Sequence, residues 1–236
     1  MTRAPAISAA VRALRFQHAD GSALQKLAEQ NSETLLRHTD EAHLTLALAV
    51  RCADLFPEHG RQQLNQRLDA NRNCVSNTAR TTEEIAAAMR QNGVSFLLLK
   101  GLTQWPCYVA DPAHRFQSDI DIYCPPAELV SAKAVLQQLG YEPAHANSRS
   151  ATDHLPVMIR RTGWVWTGDF FDSQRPPSVE VHFRFWDTAT EGFSAGDPNA
   201  FWERRTERSL CGYRWSALHP VDGITYSAMH LVRHLL

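Results

Sequence analysis

Arg115-Phe116-Gln117-Ser118-Asp119-Ile120-Asp121-Ile122-Tyr123-Cys124 decides how the rest of the chain is read. Phe116, Ile120 and Ile122 fall on one side of an alternating pattern, and Arg115, Asp119 and Asp121 on the other, as in a half-buried strand. Two carboxylates two residues apart on a strand project together, and two like charges that close are unfavourable without a cation between them. Mg²⁺ suits such a pair, because it takes carboxylate oxygens together with substrate phosphate oxygens. On spacing alone, two solvated aspartates on an edge strand are the commoner arrangement. The neighbouring segments shift that balance.

Upstream, Val94 to Leu99 is a short and almost continuous apolar run, which predicts a strand buried on both faces. Lys100-Gly101 ends it. Leu102 to Val109 can form a short helix, and Asp111-Pro112 turns the chain. Downstream, Pro125-Pro126 opens a helix with apolar positions Leu129, Val135, Leu136 and Leu139, closed by Gly140. Between Tyr141 and Pro177, Val157-Met158-Ile159 and Trp164-Val165-Trp166 could pair as a hairpin. Alternation returns from Val179 to Phe185, with the valines and phenylalanines inward and Glu180, His182 and Arg184 outward. Pro198 to Arg208 and Pro220 to Leu236 read as helices. The second carries no terminating signal, so a longer natural reading frame is expected.

The first part of the chain is helical. Gly21, Pro57 and Gly60 are the only glycines and proline between residues 6 and 92. Leu24, Leu27 and Ala28 share a helical face, as do Leu44, Leu48 and Cys52. Thr81 and Glu84 have capping-box spacing ahead of the stripe Ile85, Ala88 and Met89, and Gly93 follows as a stop. The expectation is an α+β fold. A helical region over 1–80 precedes a core over 81–236, built on a small mixed β-sheet with C-terminal helices.

Composition narrows the partners. Lys and Arg number 24 against 25 Asp and Glu, a formal charge of −1. Such a balance gives no general attraction to nucleic acid or anionic lipid. No apolar run reaches the length of a membrane span. The five cysteines are scattered with no Cys-x-x-Cys pair, which fits a reducing, cytoplasmic setting and excludes a zinc knuckle or redox dithiol. The dispersed serines and histidines show no spacing for a hydrolase triad.

The chemistry gathers where the strands do. Glu180 supplies a third outward acid on another strand, so Asp119, Asp121 and Glu180 together read as a metal cage. The Lys100-Gly101 turn could bring backbone N–H groups and an ammonium to phosphates. Arg115 shares the acid face and has a fork that suits oxyanions, though a salt bridge to either aspartate fits equally well. His182, two residues after Glu180, reaches the same side in a supporting role. His230 and His234 lie one helical turn apart, without the glutamate of a zinc-protease motif, and read as a packed pair. Trp164, Trp166 and Trp186 could stack a base but are more often core residues. Ser118 alternates to the core side.

Taken in order, Leu98-Leu99-Lys100-Gly101, Asp111-Pro112, Arg115, Ser118-Asp119-Ile120-Asp121, Leu139-Gly140-Tyr141 and Val179-Glu180-Val181-His182 resemble a bacterial nucleotidyltransferase family. Its signature is LKG…R…DxD…ExH, and it is a divergent branch of the polymerase β-like nucleotidyltransferases. The resemblance runs from about Thr81 to the end. It implies a Mg²⁺-dependent triphosphate site (with Mn²⁺ as the other candidate ion), Asp119 and Asp121 as the paired metal carboxylates, and Glu180 as the third acid. Lys100, Gly101, Arg115 and His182 are then the phosphate-binding candidates. In the broader superfamily the first turn carries Gly followed by Ser or Gly. Here Leu102 follows Gly101, and Lys100 stands in for the missing hydroxyl. The implied reaction moves a nucleotidyl group from an NTP to a hydroxyl or phosphate of a small-molecule or peptide acceptor. Two alternatives share the fold: transfer of another phosphate-linked group, such as a sugar from a nucleotide-sugar donor, and a non-catalytic nucleotide-binding module.

Overall fold

A computed structural model describes residues 1–144, 153–192, 197 and 200–233. The helices are α1 (Arg3–Ala13), α2 (Ser22–Glu41), α3 (Thr45–Arg51), α4 (Glu58–Gln91), α5 (Leu129–Gln138), α6 (Thr188–Glu191), α7 (Ala200–Glu203) and α8 (Pro220–Arg233). The strands are β1 (Leu97–Leu98), β2 (Asp119–Tyr123), β3 (Tyr141–Pro143), β4 (Met158–Arg160), β5 (Ser178–His182), β6 (Thr206–Leu210) and β7 (Tyr213–Ala217). The protein is α+β, and its contacts divide it into two compact units.

The first unit comprises Met1–Val75, Val109–Phe116 and Trp166–Ser173. Its core is the small face of α1 (Ala6, Ala9, Ala10) closed on Leu24, Ala28, Leu35 and Leu36 of α2 and on Leu48 of α3. Alanines let the helix backbones approach closely while still removing apolar surface from water. α2 is broken at Asn31, which leaves the helical region at φ −165°. The Asn31 side chain then accepts the Thr34 N–H at 2.9 Å and so caps the second half. Arg67 grips Asp40 at 2.9 Å, and Phe116 stacks on His43 with ring centres 4.4 Å apart.

The second unit comprises Ser76–Tyr108, Gln117–Val165 and Gln174–Leu236, and it carries the sheet. Among the described residues, seven strands run in the order β3-β4-β5-β2-β1-β7-β6. The β2–β5 and β1–β7 pairs are parallel and the others antiparallel. Register sorts the side chains into two faces. One face is apolar: Leu98, Ile120, Ile122, Met158, Val179, Val181, Trp215 and Ala217 are all buried on it. α4 reaches this face, because the buried Trp215 indole donates to Glu83 at 2.7 Å. The other face carries Leu97, Leu99 and Tyr123 at one end and the acids at the other. An aromatic cluster covers the apolar end, with Tyr123 stacked on Phe185 at 4.0 Å and Phe201 and Tyr226 packed beside them.

Several expectations need correcting. Thr81 does not start a helix: α4 is continuous across it, with Thr81 and Thr82 buried, and Glu84 instead holds Arg160 through two bonds of 3.0 and 3.1 Å. Residues Leu102 to Val109 give only a 3-10 turn at Gly101–Gln104. Trp164 to Trp166 form no strand, and β4 pairs with β3 and β5. The expected helix over 198–208 shrinks to α7, and Thr206–Leu210 becomes a strand in a hairpin with β7. The strand containing the aspartates starts at Asp119, so Arg115 does not lie on it. The last helix is described through Arg233, and His234 lies outside the described residues.

Candidate active site

β2 and β5 run parallel with Asp121 directly beside Glu180 and Tyr123 beside His182. Side-by-side residues of a parallel pair share a face, so Asp119, Asp121, Glu180 and His182 all project from the side that carries the aromatic cluster. The valines between them, Val179 and Val181, are 0% exposed and anchor β5 to the apolar face. Alternation between buried valines and outward polar groups is therefore what aims the site.

The carboxylates of Asp121 and Glu180 and the imidazole of His182 place one ligand atom each within 4.8 Å of one another. This group could hold a metal ion. Two oxygens and one nitrogen from adjacent strands leave the rest of a coordination shell open to water or substrate, which is the donor arrangement a catalytic cation needs. Among the described residues the convergent group is these three. Asp119 heads β2, half-buried, and is not one of them. His182, expected to support the acids or to bind phosphate, is a full member of this convergent group.

The electrostatics are tightly coupled. His182 Nε2 lies 3.2 Å from Asp121 Oδ1 and 3.6 Å from Glu180 Oε2, while its Nδ1 is 3.5 Å from Asp153 Oδ2, at the outer edge of hydrogen-bond reach. Burial disfavours the imidazolium, but bonds to Asp121, Asp153 and Glu180 outweigh it and push the His182 pKa up to about 10. Burial also opposes ionisation of Asp121, yet His182 and the Lys100 ammonium hold its carboxyl below the usual range. Glu180 is lowered too, chiefly by its bond to His182 against burial and the repulsion of Asp121. With no ion bound, the acids are thus ionised at neutral pH and partly neutralised by the His182 imidazolium and Lys100, and an ion that took the His182 nitrogen would have to displace its proton.

The Lys100 ammonium is 3.0 Å from Asp121 Oδ1 and 3.4 Å from His230 Nε2. Gly101 makes this turn possible. Its φ is +65°, and a Cβ there would overlap the side-chain amide of Gln117, which itself donates to the Asp119 carbonyl at 2.8 Å. Arg115 belongs to the first unit, where its carbonyl accepts from Asn71 at 3.1 Å.

Asp153 escaped the sequence reading, and His230, expected there only as one of a packed pair with His234, lies against Lys100. Asp153 reaches His182 because its neighbour His154 forms an isolated bridge to that residue, a long-range pairing with no local pattern. Helical spacing also sets His230 four residues after the buried Tyr226, on the inward side of α8.

The profile of an uncharacterised nucleotidyltransferase family matches residues 17–236. No curated protein and no solved structure matches the chain. With a match over almost its whole length, the chain belongs to this nucleotidyltransferase family, whose members transfer phosphorus-containing groups.

Proposed function

We propose that the protein is a Mg²⁺-dependent nucleotidyltransferase that moves a nucleotidyl group from an NTP to a hydroxyl or phosphate of a small-molecule or peptide acceptor. The observation that carries this reading is the register of β2 and β5, which sets Asp121 beside Glu180 with His182 in contact with both. Buried carboxylates on adjacent strands are costly unless cations meet them. Family membership supports the transfer of a phosphorus-containing group.

In this reading Asp121 and Glu180 hold the ion. Mn²⁺ would serve in the same place, since it accepts the His182 imidazole more readily than Mg²⁺ does. The bound cation would neutralise the triphosphate and stabilise the pyrophosphate that leaves. Lys100 keeps positive charge beside the acids, where triphosphate oxygens would come. Asp119, less buried than Asp121 and outside the convergent trio, takes the proton of the acceptor. The acceptor oxygen bonds to the α-phosphorus, the bond to the bridging oxygen breaks, and pyrophosphate departs.

The test is transfer of label from α-phosphate-labelled NTPs, with Mg²⁺ and a panel of hydroxylated acceptors. Label should appear in an acceptor and vanish in a folded Asp119→Ala, Asp121→Ala double variant. Turnover surviving that double substitution would reject the reading. Product mass separates nucleotidyl addition from transfer of a sugar, and NTP binding without turnover on any acceptor would leave a binding module.

A further inference from the structure

Among the described residues Arg208 forms no ion pair, and its guanidinium bonds to the segment that follows Lys100 and Gly101. Nη1 donates to the Thr103 carbonyl at 2.7 Å and Nη2 to the Trp105 carbonyl at 2.9 Å, with the Cys107 sulfur 3.7 Å away. A planar fork that bonds two carbonyls of one turn fixes the shape of that turn as well as its place. Hydrogen bonds from a charged donor are also the strong ones.

Arg208 works from the far side of the sheet. It lies on β6, the last strand in the sheet order, opposite the fully buried Trp215 of β7. That register puts it on the apolar face, away from the acids. From there it acts on the acid side only through the turn, and Thr103 passes its hold to Lys100. The Thr103 N–H donates to the Lys100 carbonyl at 3.3 Å. The buried Thr103 hydroxyl donates to the Leu99 carbonyl at 3.0 Å and lies 3.3 Å from that of Lys100. Lys100 then sets its ammonium 3.0 Å from Asp121 Oδ1. Three steps, Arg208 to Thr103, Thr103 to Lys100 and Lys100 to Asp121, thus run from the edge of the sheet to the acids.

Resting on the nucleotidyltransferase reading above, we propose that Arg208 is a positioning residue: it clamps the Thr103–Trp105 turn and so holds the Lys100 ammonium where the triphosphate oxygens come. It touches no substrate itself. Without the clamp the turn opens, and Lys100 leaves its place between Asp121 and His230.

Acetylation tests this placement without metal, NTP or turnover. The full chain is treated with limiting acetic anhydride, and each lysine is followed by peptide mass spectrometry. Lys100, largely shielded, should react slowly. Arg208→Met should speed its acetylation about tenfold, because two charged hydrogen bonds to the turn are lost. Lys26 and Lys133, both exposed, should keep their wild-type rates. Iodoacetamide labelling of the buried Cys124 reports general loosening and should stay absent. Should Arg208→Met label Cys124, Arg208→Lys decides, since it keeps the charge but loses the fork, and Lys100 should still react faster than in the wild type. Lys100 acetylated at the wild-type rate in a variant that spares Cys124 overturns the proposal. Labelling of Cys124 in both variants confines Arg208 to fold stability and overturns it too. In the transfer assay, Arg208→Met should raise the NTP KM about tenfold and leave the acceptor KM alone. A change confined to the acceptor KM is the opposite result and sinks the clamp. The nucleotidyltransferase reading fails on a separate readout, namely label transfer that persists in the Asp119→Ala, Asp121→Ala variant, whatever Lys100 does with the anhydride.

Discussion

Oδ1 of Asp121 lies 3.2 Å from Nε2 of His182, and both side chains are almost wholly shielded from water. A charge pair this deep is held by several partners at once. Removing one leaves its counterpart buried and uncompensated, which costs about 3–5 kcal/mol. The pair is thus both a structural joint between β2 and β5 and the inner edge of the candidate metal site.

Metal addition should be visible as stability. A ligand at ten times its Kd that binds only the folded chain stabilises by about 1.4 kcal/mol, or about 3–5 °C in Tm for a chain of this size. Mg²⁺ or Mn²⁺ should raise the melting temperature in a fluorescence-monitored scan, and EDTA should reverse the change. In an Asp121→Asn, Glu180→Gln variant the shift should disappear. A shift retained in that variant places the ion elsewhere.

Gly101→Ala separates backbone strain from crowding. The left-handed φ of +65° should cost an alanine about 1–2 kcal/mol. Overlap with the Gln117 amide adds to this and disturbs the bond that Gln117 gives the Asp119 carbonyl. Denaturant unfolding should therefore show a loss of about 2–4 kcal/mol in Gly101→Ala. In a Gln117→Ala background the same change should cost less, since only the backbone part remains. Equal costs in the two backgrounds would mean that Gln117 moves aside freely.

How much of this was legible follows from which interactions are local. The Asp119–Asp121 pair and the Glu180–His182 pair could be read because alternation with isoleucines and valines is a two-residue signal. That these two strands pair side by side is a long-range contact that alternation does not encode. Alternation overshot at Arg115, since a periodic pattern cannot say where a strand begins. The β6–β7 hairpin was missed because its turn uses Cys211 at φ 50° followed by Gly212 at φ 83°. Glycine advertises that conformation, but cysteine does not. The ion pairs of Asp153 and Lys100 depend on contacts remote in sequence, which no local pattern encodes.

Cysteine chemistry offers a check on burial and pH together. Burial pushes the Cys124 thiol from 9.0 up to about 12, with a smaller contribution from Glu128. At pH 8.5 only about 1 in 3,000 Cys124 side chains is the reactive thiolate, and its 0% exposure bars reagents as well. Iodoacetamide should modify the exposed Cys107 and spare Cys124, read by peptide mass spectrometry. The sign for stability follows from proton counts. The folded chain keeps a proton that the unfolded chain loses, so this contribution is complete below pH 9 and declines as pH rises toward 12. A Cys124→Ala variant should lack that decline.

Lys100→Met distinguishes a phosphate-binding lysine from a purely structural one. The ammonium sits 3.0 Å from Asp121 Oδ1 in the resting protein, so it competes with any cation for the same oxygen. Methionine keeps the chain length and removes the charge. Divalent-ion affinity should therefore rise, by about tenfold for a partly shielded unit charge, as read by calorimetric titration. Transfer from NTP should nevertheless fall, by about 10²–10³-fold, because the triphosphate loses a cation that counts most as charge develops on the leaving pyrophosphate. Opposite signs for ion affinity and turnover are the signature. A variant in which ion affinity and turnover both stay at wild-type levels would confine Lys100 to balancing Asp121.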